Sequence, residues 1–427
     1  MDKSQLKFTI DDFRAIKNAE IDLNGITVIA GENGSGKSTI SKLVYQSLNV
    51  SSNFDEYVDA AISRDLRKHN RTFDFLGREY LSPKDYLLLK RYLNNASHTE
   101  QLSMFDENTE YSDVVSFLKE KIGKRIESEK NQYRIKKILS RISESYVDDD
   151  LDSVFDLVND EILSAQKNAL ALKKERSIEI YNEYMYKYFN DLKEESFKIK
   201  EFGENIVDIN NNKLLPIHSI EKVFYIDSPM LLDVNNTTIQ HWEDLHNYIR
   251  RNYRNKEINS KVGSILKEDI IKGEVSVDEA GYNEYTFTRK DGKVYNLLNC
   301  ATGLKSFSIL QMLGKSGAFD ENTLMIIDEP EAHLHPQWVV EYARLIVLLN
   351  KNLGVRFLIA SHHPDMISAL KYISNEEGVE DGLNYYLSKK YKNSYMYTYK
   401  YLKLDIEEIF TSFNIALDRI EQYGKEH

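Results

Sequence analysis

Gly31-Glu32-Asn33-Gly34-Ser35-Gly36-Lys37-Ser38 meets the pattern G-x-x-x-x-G-K-[ST] at every fixed position, and Thr39 follows. A triphosphate needs that spacing. Glycines let successive backbone N–H groups turn inward around phosphate oxygens. The helix that must start at the end of the loop adds the positive end of its dipole. In such a loop Gly31, Asn33, Gly34, Ser35, Gly36 and Thr39 help to line the nucleotide. Lys37 reaches the β- and γ-phosphates and Ser38 ligates Mg²⁺.

Two further clusters complement this chemistry. Leu324-Met325-Ile326-Ile327-Asp328-Glu329-Pro330 is an apolar run ending in two carboxylates. Beside a phosphate loop, Asp328 is placed to hold Mg²⁺ through water and Glu329 to polarise an attacking water as general base. Ala360-Ser361-His362-His363-Pro364 closes a second apolar run, and an imidazole there can donate to a γ-phosphate oxygen. Glu331-Ala332-His333-Leu334-His335-Pro336 lies between. Its two histidines are the residue type metals favour, but no cysteine is near and a loop role beside the nucleotide explains them equally. Upstream, Asn299-Cys300-Ala301-Thr302-Gly303-Leu304-Lys305-Ser306 opens a helix-patterned segment. Thr302 and Gly303 at a helix start make a second end for binding an anion.

Elements must hold these groups. Ile26–Ala30, Leu324–Ile327 and Phe357–Ala360 are short apolar runs rich in branched residues, as buried parallel strands are. Helical spacing follows the phosphate loop (Ile40, Leu43, Val44, Leu48) and is expected again over 303–313 and 337–349. Residues 5–31 read as strands, and 222–233 as a strand ending in a turn. Residues 273–298 read as a hairpin turning at Asp291-Gly292. Between about 50 and 215 the chain is charge-dense and reads as helical, notably over 112–145 and 160–200. Tyr395, Tyr397, Tyr399 and Tyr401 alternate with other residues in a hairpin expected over 384–402, as one packed face, before a short helix near 406–423. The fold class is therefore α/β. The expected domains are an N-terminal ATPase lobe (1–50), a helical insertion (51–215), a C-terminal ATPase lobe (216–370) and a hairpin with a helix (371–427).

Composition bounds the rest. Of 427 residues, 41% are hydrophobic, which excludes a wholly disordered chain. The formal charge of −12 argues against indiscriminate coating of nucleic acid. One cysteine, Cys300, excludes a disulfide framework and fits a reducing compartment. There is no signal peptide and no membrane-length apolar run, so a cytoplasmic protein is expected.

Taken in order, these motifs resemble the ABC-type ATPase heads of the SMC and RecF kind. Asp-Glu-Pro-Glu-Ala-His-Leu-His-Pro brings the chain nearest to the AAA/ABC ATPases of bacterial anti-phage systems: the overcoming-lysogenization-defect, Septu and PARIS ATPases. The resemblance covers about 1–50 and 220–370. It implies an ABC-type P-loop ATPase head with a large helical insertion, using ATP and Mg²⁺. Lys37 and Ser38 are then the Walker A pair, Asp328 is Walker B and Glu329 the catalytic glutamate. Thr302 and Gly303 fall in the signature, Ala332 to His335 in the D-loop, and His362 at the switch. Relatives use Ser-Ser-Gly or Ser-Gly-Gly where this chain has Ala301-Thr302-Gly303. They use Thr-His-Ser around the switch, so His363 is an alternative sensor. No Q-loop glutamine can be placed.

In that family the signature of one subunit completes the ATP site of another, so a homodimer or larger oligomer is implied. The expected role is sensor or scaffold of an anti-phage system, with ATP-dependent dimerisation controlling a separate effector, a nuclease. About 65 residues follow His362, short for a nuclease domain of the Toprim kind. The alternative is a DNA repair or recombination ATPase that binds DNA directly. It would use Lys121, Lys124, Arg125, Lys130, Arg134, Lys136, Lys137 and Arg141, or Arg250, Arg251, Arg254 and Lys256 interleaved with Tyr248 and Tyr253. Solvated helix faces explain both clusters as well.

Overall fold

The computed structural model describes residues 6–98, 110–123, 126, 128–143, 149–191, 197–227, 239–253, 260–277, 285–411 and 423. Two units are built from them, one of 1–52 with 185–427 and one of 53–184.

The first unit centres on a mixed sheet. Its chain begins with strands β1 (Leu6–Phe13), β2 (Ile16–Asp22) and β3 (Ile26–Ala30), then helix α1 (Lys37–Ser52). The second unit carries helices α2 (Phe54–Tyr80), α3 (Pro83–His98), α4 (Glu110–Gly123), α5 (Glu129–Ser143) and α6 (Leu151–Glu175), and most of α7 (Ile178–Tyr188). The chain returns to the first unit with strands β4 (Phe197–Glu201), β5 (Glu204–Asp208), β6 (Lys213–Leu214) and β7 (Lys222–Ile226), then helices α8 (Gln240–Asn252) and α9 (Ser260–Ser264). Strands β8 (Gly273–Val277), β9 (Tyr285–Arg289) and β10 (Val294–Asn296) precede α10 (Thr302–Lys315). Then come β11 (Thr323–Asp328), α11 (Pro336–Leu353), β12 (Arg356–Ser361), α12 (Pro364–Glu376), β13 (Leu383–Lys390) and β14 (Tyr397–Lys403).

The large sheet runs β6-β5-β4-β1-β2-β14-β13-β3-β12-β11-β7. Its centre, β13-β3-β12-β11-β7, is parallel. The register sets Ala30 beside Ser361 and Leu387, and Asp328 beside Ala360. The carboxyl ends of β3, β11 and β12, where loops 31–36, 329–335 and 362–363 begin, therefore lie along one edge. Open α/β sheets bind ligands at such an edge.

Both faces of these strands are buried, which is why their sequences run apolar without alternation. Ile26, Val28, Met325, Ile327, Phe357 and Ile359 join a core with Phe307, Tyr342, Ile346 and Ile367 of α10 to α12. On β7, β11 and β12 packs α1. The start signals of α11 and α12 are alike: a histidine N-cap followed by proline, His335-Pro336 and His363-Pro364. Gly354 ends α11 at φ +74°.

Several expectations change. Residues 197–214 carry strands, although the whole of 51–215 reads as helical; Phe197, Ile199 and Glu201 are buried on alternate positions and β4 pairs antiparallel with β1. Residues 273–298 form three strands rather than a hairpin, with Asp291-Gly292 joining β9 to β10. Tyr397, Tyr399 and Tyr401 share one face, opposite Lys390, Ser388 and Tyr386 of β13, but that face is only partly packed. Tyr395 is exposed ahead of β14, Tyr399 is buried and Tyr401 is exposed. A bulge opposite Tyr385 and Tyr386 skips Leu402 in the pairing, after the last of the tyrosines, and the Leu402 side chain is buried. Residues 228–233 of the expected strand and turn, and 412–422 of the helix expected near 406–423, lie outside the described residues.

In the second unit, Phe73, Leu76, Leu118, Leu139, Val154 and Phe155 belong to one apolar core shared by α2 to α6. Asp150 caps α6 by accepting the Ser153 N–H at 2.9 Å.

Candidate nucleotide site

The loop after β3 turns on three glycines. Gly31, Gly34 and Gly36 have φ of +153°, +78° and +97°, values that L side chains rarely adopt. Two of them also lack room. A Cβ on Gly31 would stand 1.7 Å from Ser388 Oγ on β13, and one on Gly36 would stand 2.7 Å from Ile16 Cγ1 on β2. From behind, the Tyr399 hydroxyl donates to the Ser35 carbonyl at 2.9 Å. The phosphate loop is thus backed by β2, β13 and β14.

Lys37 is buried at the start of α1, and its Nζ donates to the carbonyls of Gly31 (2.8 Å) and Glu32 (3.0 Å). Burial lowers its pKa, while Glu329, Asp328, Glu331 and Glu32 oppose the fall. Ser35 Oγ is buried without a hydrogen-bond partner. Asn33 and Gly34 lie exposed at the loop tip. Thr39 is half-buried.

Asp328 ends β11 beneath α1. It accepts from the Ser41 hydroxyl at 2.6 Å and the Tyr225 hydroxyl at 2.9 Å, and Ser38 adds a further hydrogen bond. Burial pushes its carboxyl above the ordinary range against those three bonds. Glu329, the next residue, has φ +50° and donates its N–H to the Ala360 carbonyl at 2.8 Å. That bond carries the β11–β12 pairing one residue past the strand and holds a non-glycine residue in the left-handed region. The Glu329 side chain is half exposed, with Oε1 3.4 Å from His362 Nδ1. His363 is engaged elsewhere: its Nδ1 accepts the Asp365 N–H at 3.3 Å as the cap of α12.

Lys37, Ser38, Asp328, Glu329 and His362 therefore gather at one edge. Their carboxylates outnumber the one ammonium, which suits a site completed by a cation and a phosphate chain. The buried, unpartnered Ser35 hydroxyl and the inward-turned glycine loop fit the same groups. A cavity of about 350 Å³ opens nearby, lined by Arg14, Lys42, Tyr45, Tyr225 and His241 among others, and shares Tyr225 with Asp328.

Thr302 and Gly303 open α10, and neither makes a hydrogen bond to the phosphate loop among the described residues. The N-cap, Ala301, makes no side-chain cap. Gly303 has a packing reason: a Cβ there would stand 2.9 Å from the Trp338 ring. His333 (φ +64°) and His335, the cap of α11, belong to no group of three metal-ligating side chains among the described residues.

Spacing alone missed Ser41, Tyr225, Glu331, Ser361, Ser388 and Tyr399. The hydroxyls leave no motif, but Glu331 is a carboxylate three residues after Asp328 and was legible as such.

The basic clusters give mixed geometry. Lys124, Arg125, Arg254 and Lys256 lie outside the described residues. Lys121 pairs with Glu120, and Lys136 donates to the Asp149 carbonyl. Tyr248 packs edge-on against Phe224, and the Tyr253 hydroxyl donates to the Val275 carbonyl at 3.2 Å. Both tyrosines thus serve packing. No helix of the described residues is long and apolar enough to cross a membrane.

A family model described as AAA ATPase domain matches residues 6–367. None of the curated proteins matches this chain. Among solved structures, the Smc head domain of Pyrococcus furiosus, determined with an extended coiled coil and bound to the C-terminal domain of ScpA, aligns at 12% identity and a TM-score of 0.36, covering 98% of this chain and 100% of that one. The SMC head domain of Thermotoga maritima aligns at 10% identity and a TM-score of 0.36, covering 93% and 99%.

Proposed function

The chain belongs to the AAA ATPase domain family, and from that premise we propose that it binds ATP with Mg²⁺ and hydrolyses it slowly. The observation that carries this is Asp328, tied by Ser38 and Ser41 to the helix that Lys37 starts. Loop 31–36 would wrap the phosphates with its N–H groups. Lys37 would release the Gly31 and Glu32 carbonyls and neutralise the β- and γ-oxygens. Asp328 and Ser38 would hold Mg²⁺, which when bound offsets charge on the phosphate oxygens. Glu329 is the general base that takes the proton of the attacking water, and His362 beside it donates to the γ-phosphate. The uncapped N-terminus of α10, with Thr302 and Gly303, serves the ATP site of a second copy, so that ATP closes a homodimer.

Within that class the chain acts as sensor or scaffold of a bacterial anti-phage system, and dimerisation controls a separate nuclease effector. The support is the string Asp328 to Pro336, as the sequence resemblance reads it.

Phosphate release and nucleotide binding test the chemistry. Lys37→Ala abolishes binding, and Glu329→Gln binds ATP, dimerises and loses about 10²- to 10⁴-fold in turnover. Undiminished hydrolysis by Glu329→Gln would reassign the base. Pull-down of tagged Glu329→Gln with ATP from its host tests the role. A stoichiometric partner with nuclease motifs supports the scaffold; co-eluting DNA without one supports direct DNA clamping instead.

A further inference from the structure

We infer that Glu331 is a positioning residue that sets the His362 imidazole for ATP hydrolysis. The inference rests on the ATPase reading and gives it a second carboxylate with a separate task. Glu331 is 6% exposed and lies in the tight turn after Pro330, where its carbonyl accepts the Leu334 N–H at 3.0 Å. Its Oε1 accepts from the Ser361 hydroxyl at 2.8 Å and from the His362 N–H at 3.3 Å. The same oxygen stands 3.7 Å from His362 Nδ1. One carboxylate oxygen therefore meets the backbone of the switch residue, the residue before it and the edge of its ring.

That ring has two unlike edges. Nδ1 is buried between Glu331 and Glu329, yet 42% of the His362 side chain is exposed. With Nδ1 buried, that exposure falls on the rest of the ring, which includes Nε2. A carboxylate beneath Nδ1 favours a proton on that nitrogen and fixes the ring's rotation, which leaves Nε2 for the ligand. Glu329 is the weaker anchor for the ring, because its side chain is half exposed; its proposed task is the attacking water. Both hydrogen bonds that Glu331 Oε1 accepts come from Ser361 and His362. Its Oε2 is buried without a partner, a costly arrangement for a residue that merely fills space.

The test is a cycle of Glu331→Gln and His362→Ala in the full chain, reading turnover, the KM for ATP and thermal unfolding. Glu331→Gln keeps the shape and removes the charge. It is expected to lower kcat about 10- to 100-fold, the range of outer partners that orient a functional histidine, with little change in KM. In the His362→Ala background it should cost nothing further. A loss that adds fully to that of His362→Ala, or a Glu331→Gln enzyme with full kcat, overturns the inference. So does wild-type turnover by His362→Ala. Should Glu331→Gln fail to fold, Ser361→Ala removes the 2.8 Å bond to Glu331 together with the 3.1 Å bond that Ser361 Oγ accepts from the His363 N–H. It is expected to lower kcat with KM unchanged, and full kcat there also overturns the proposal. A wild-type chain that neither binds nor hydrolyses ATP sinks the ATPase reading itself, an outcome distinct from all of these.

Discussion

His246 makes acid stability measurable at a single side chain. It lies on α8, 7% exposed, with Nδ1 2.7 Å from the Tyr285 hydroxyl and its ring stacked on Tyr285 at 5.7 Å. Burial, aided by Arg250, lowers its pKa from 6.5 to about 4. The folded state therefore keeps it neutral while the unfolded chain takes up a proton, so stability falls as pH drops from about 6.5 to about 4. The full shift of roughly 2.5 units corresponds to about 3 kcal/mol, of which about 2 is lost between pH 7.5 and pH 5. His246→Phe removes the titration. It also strands the Tyr285 hydroxyl, whose own pKa burial pushes up to about 12, so that cost does not vary over this range. Urea unfolding of both proteins at pH 7.5, 6 and 5 gives the difference free of other titrating groups. The variant should be the less stable at pH 7.5 and should close the gap by about 2 kcal/mol at pH 5. Parallel curves for the two proteins would refute the reasoning.

Two further tests bear on the phosphate loop. Gly31→Ala drives a Cβ to 1.7 Å from Ser388 Oγ and should destabilise by about 1–3 kcal/mol as overpacking does, with a marked loss of ATP affinity; adding Ser388→Gly should restore part of the stability by removing the clash. Asp328→Asn should abolish Mg²⁺-dependent nucleotide binding yet stabilise the ligand-free protein at pH 7, because burial raises the carboxyl above its ordinary 3.8. That gain is present above the raised pKa and should vanish as pH falls towards 3.8, since both states then hold the proton. Calorimetry at pH 7 and pH 4 checks it.

The elements that carry the motifs were legible because local chemistry announces them. Ile26–Ala30, Leu324–Ile327 and Phe357–Ala360 are too apolar and too branched for anything but a strand buried on both faces. What sequence concealed was pairing at a distance. Phe197–Glu201 contains three charged residues and reads as part of a helical stretch; it is a strand because β1 offers it an edge. The tyrosine alternation is real, with Tyr397, Tyr399 and Tyr401 on one face, but no local signal marks the one-residue bulge at Leu402 that follows them. Spacing marked Asp328, but the hydroxyls that hold it come from Ser41 and Tyr225, 287 and 103 residues away. Nor could spacing separate His362 from His363. A helix cap engages one, and two carboxylates flank the other.

The place of β13 and β14 bears on how the protein comes to be folded. They sit between β3 and β2, although nearly the whole sequence separates them from both neighbours. During synthesis, β2 and β3 emerge within a few residues of each other but cannot join the sheet through a common partner until residues 383–403 arrive. Ser388 and Tyr399, the back wall of the phosphate loop, arrive with them. Pairing across so long a separation is slow. A nascent chain should therefore expose two open strand edges and an unsupported loop until residues 383–403 have been made, and gain its ability to retain nucleotide close to the moment the sheet closes.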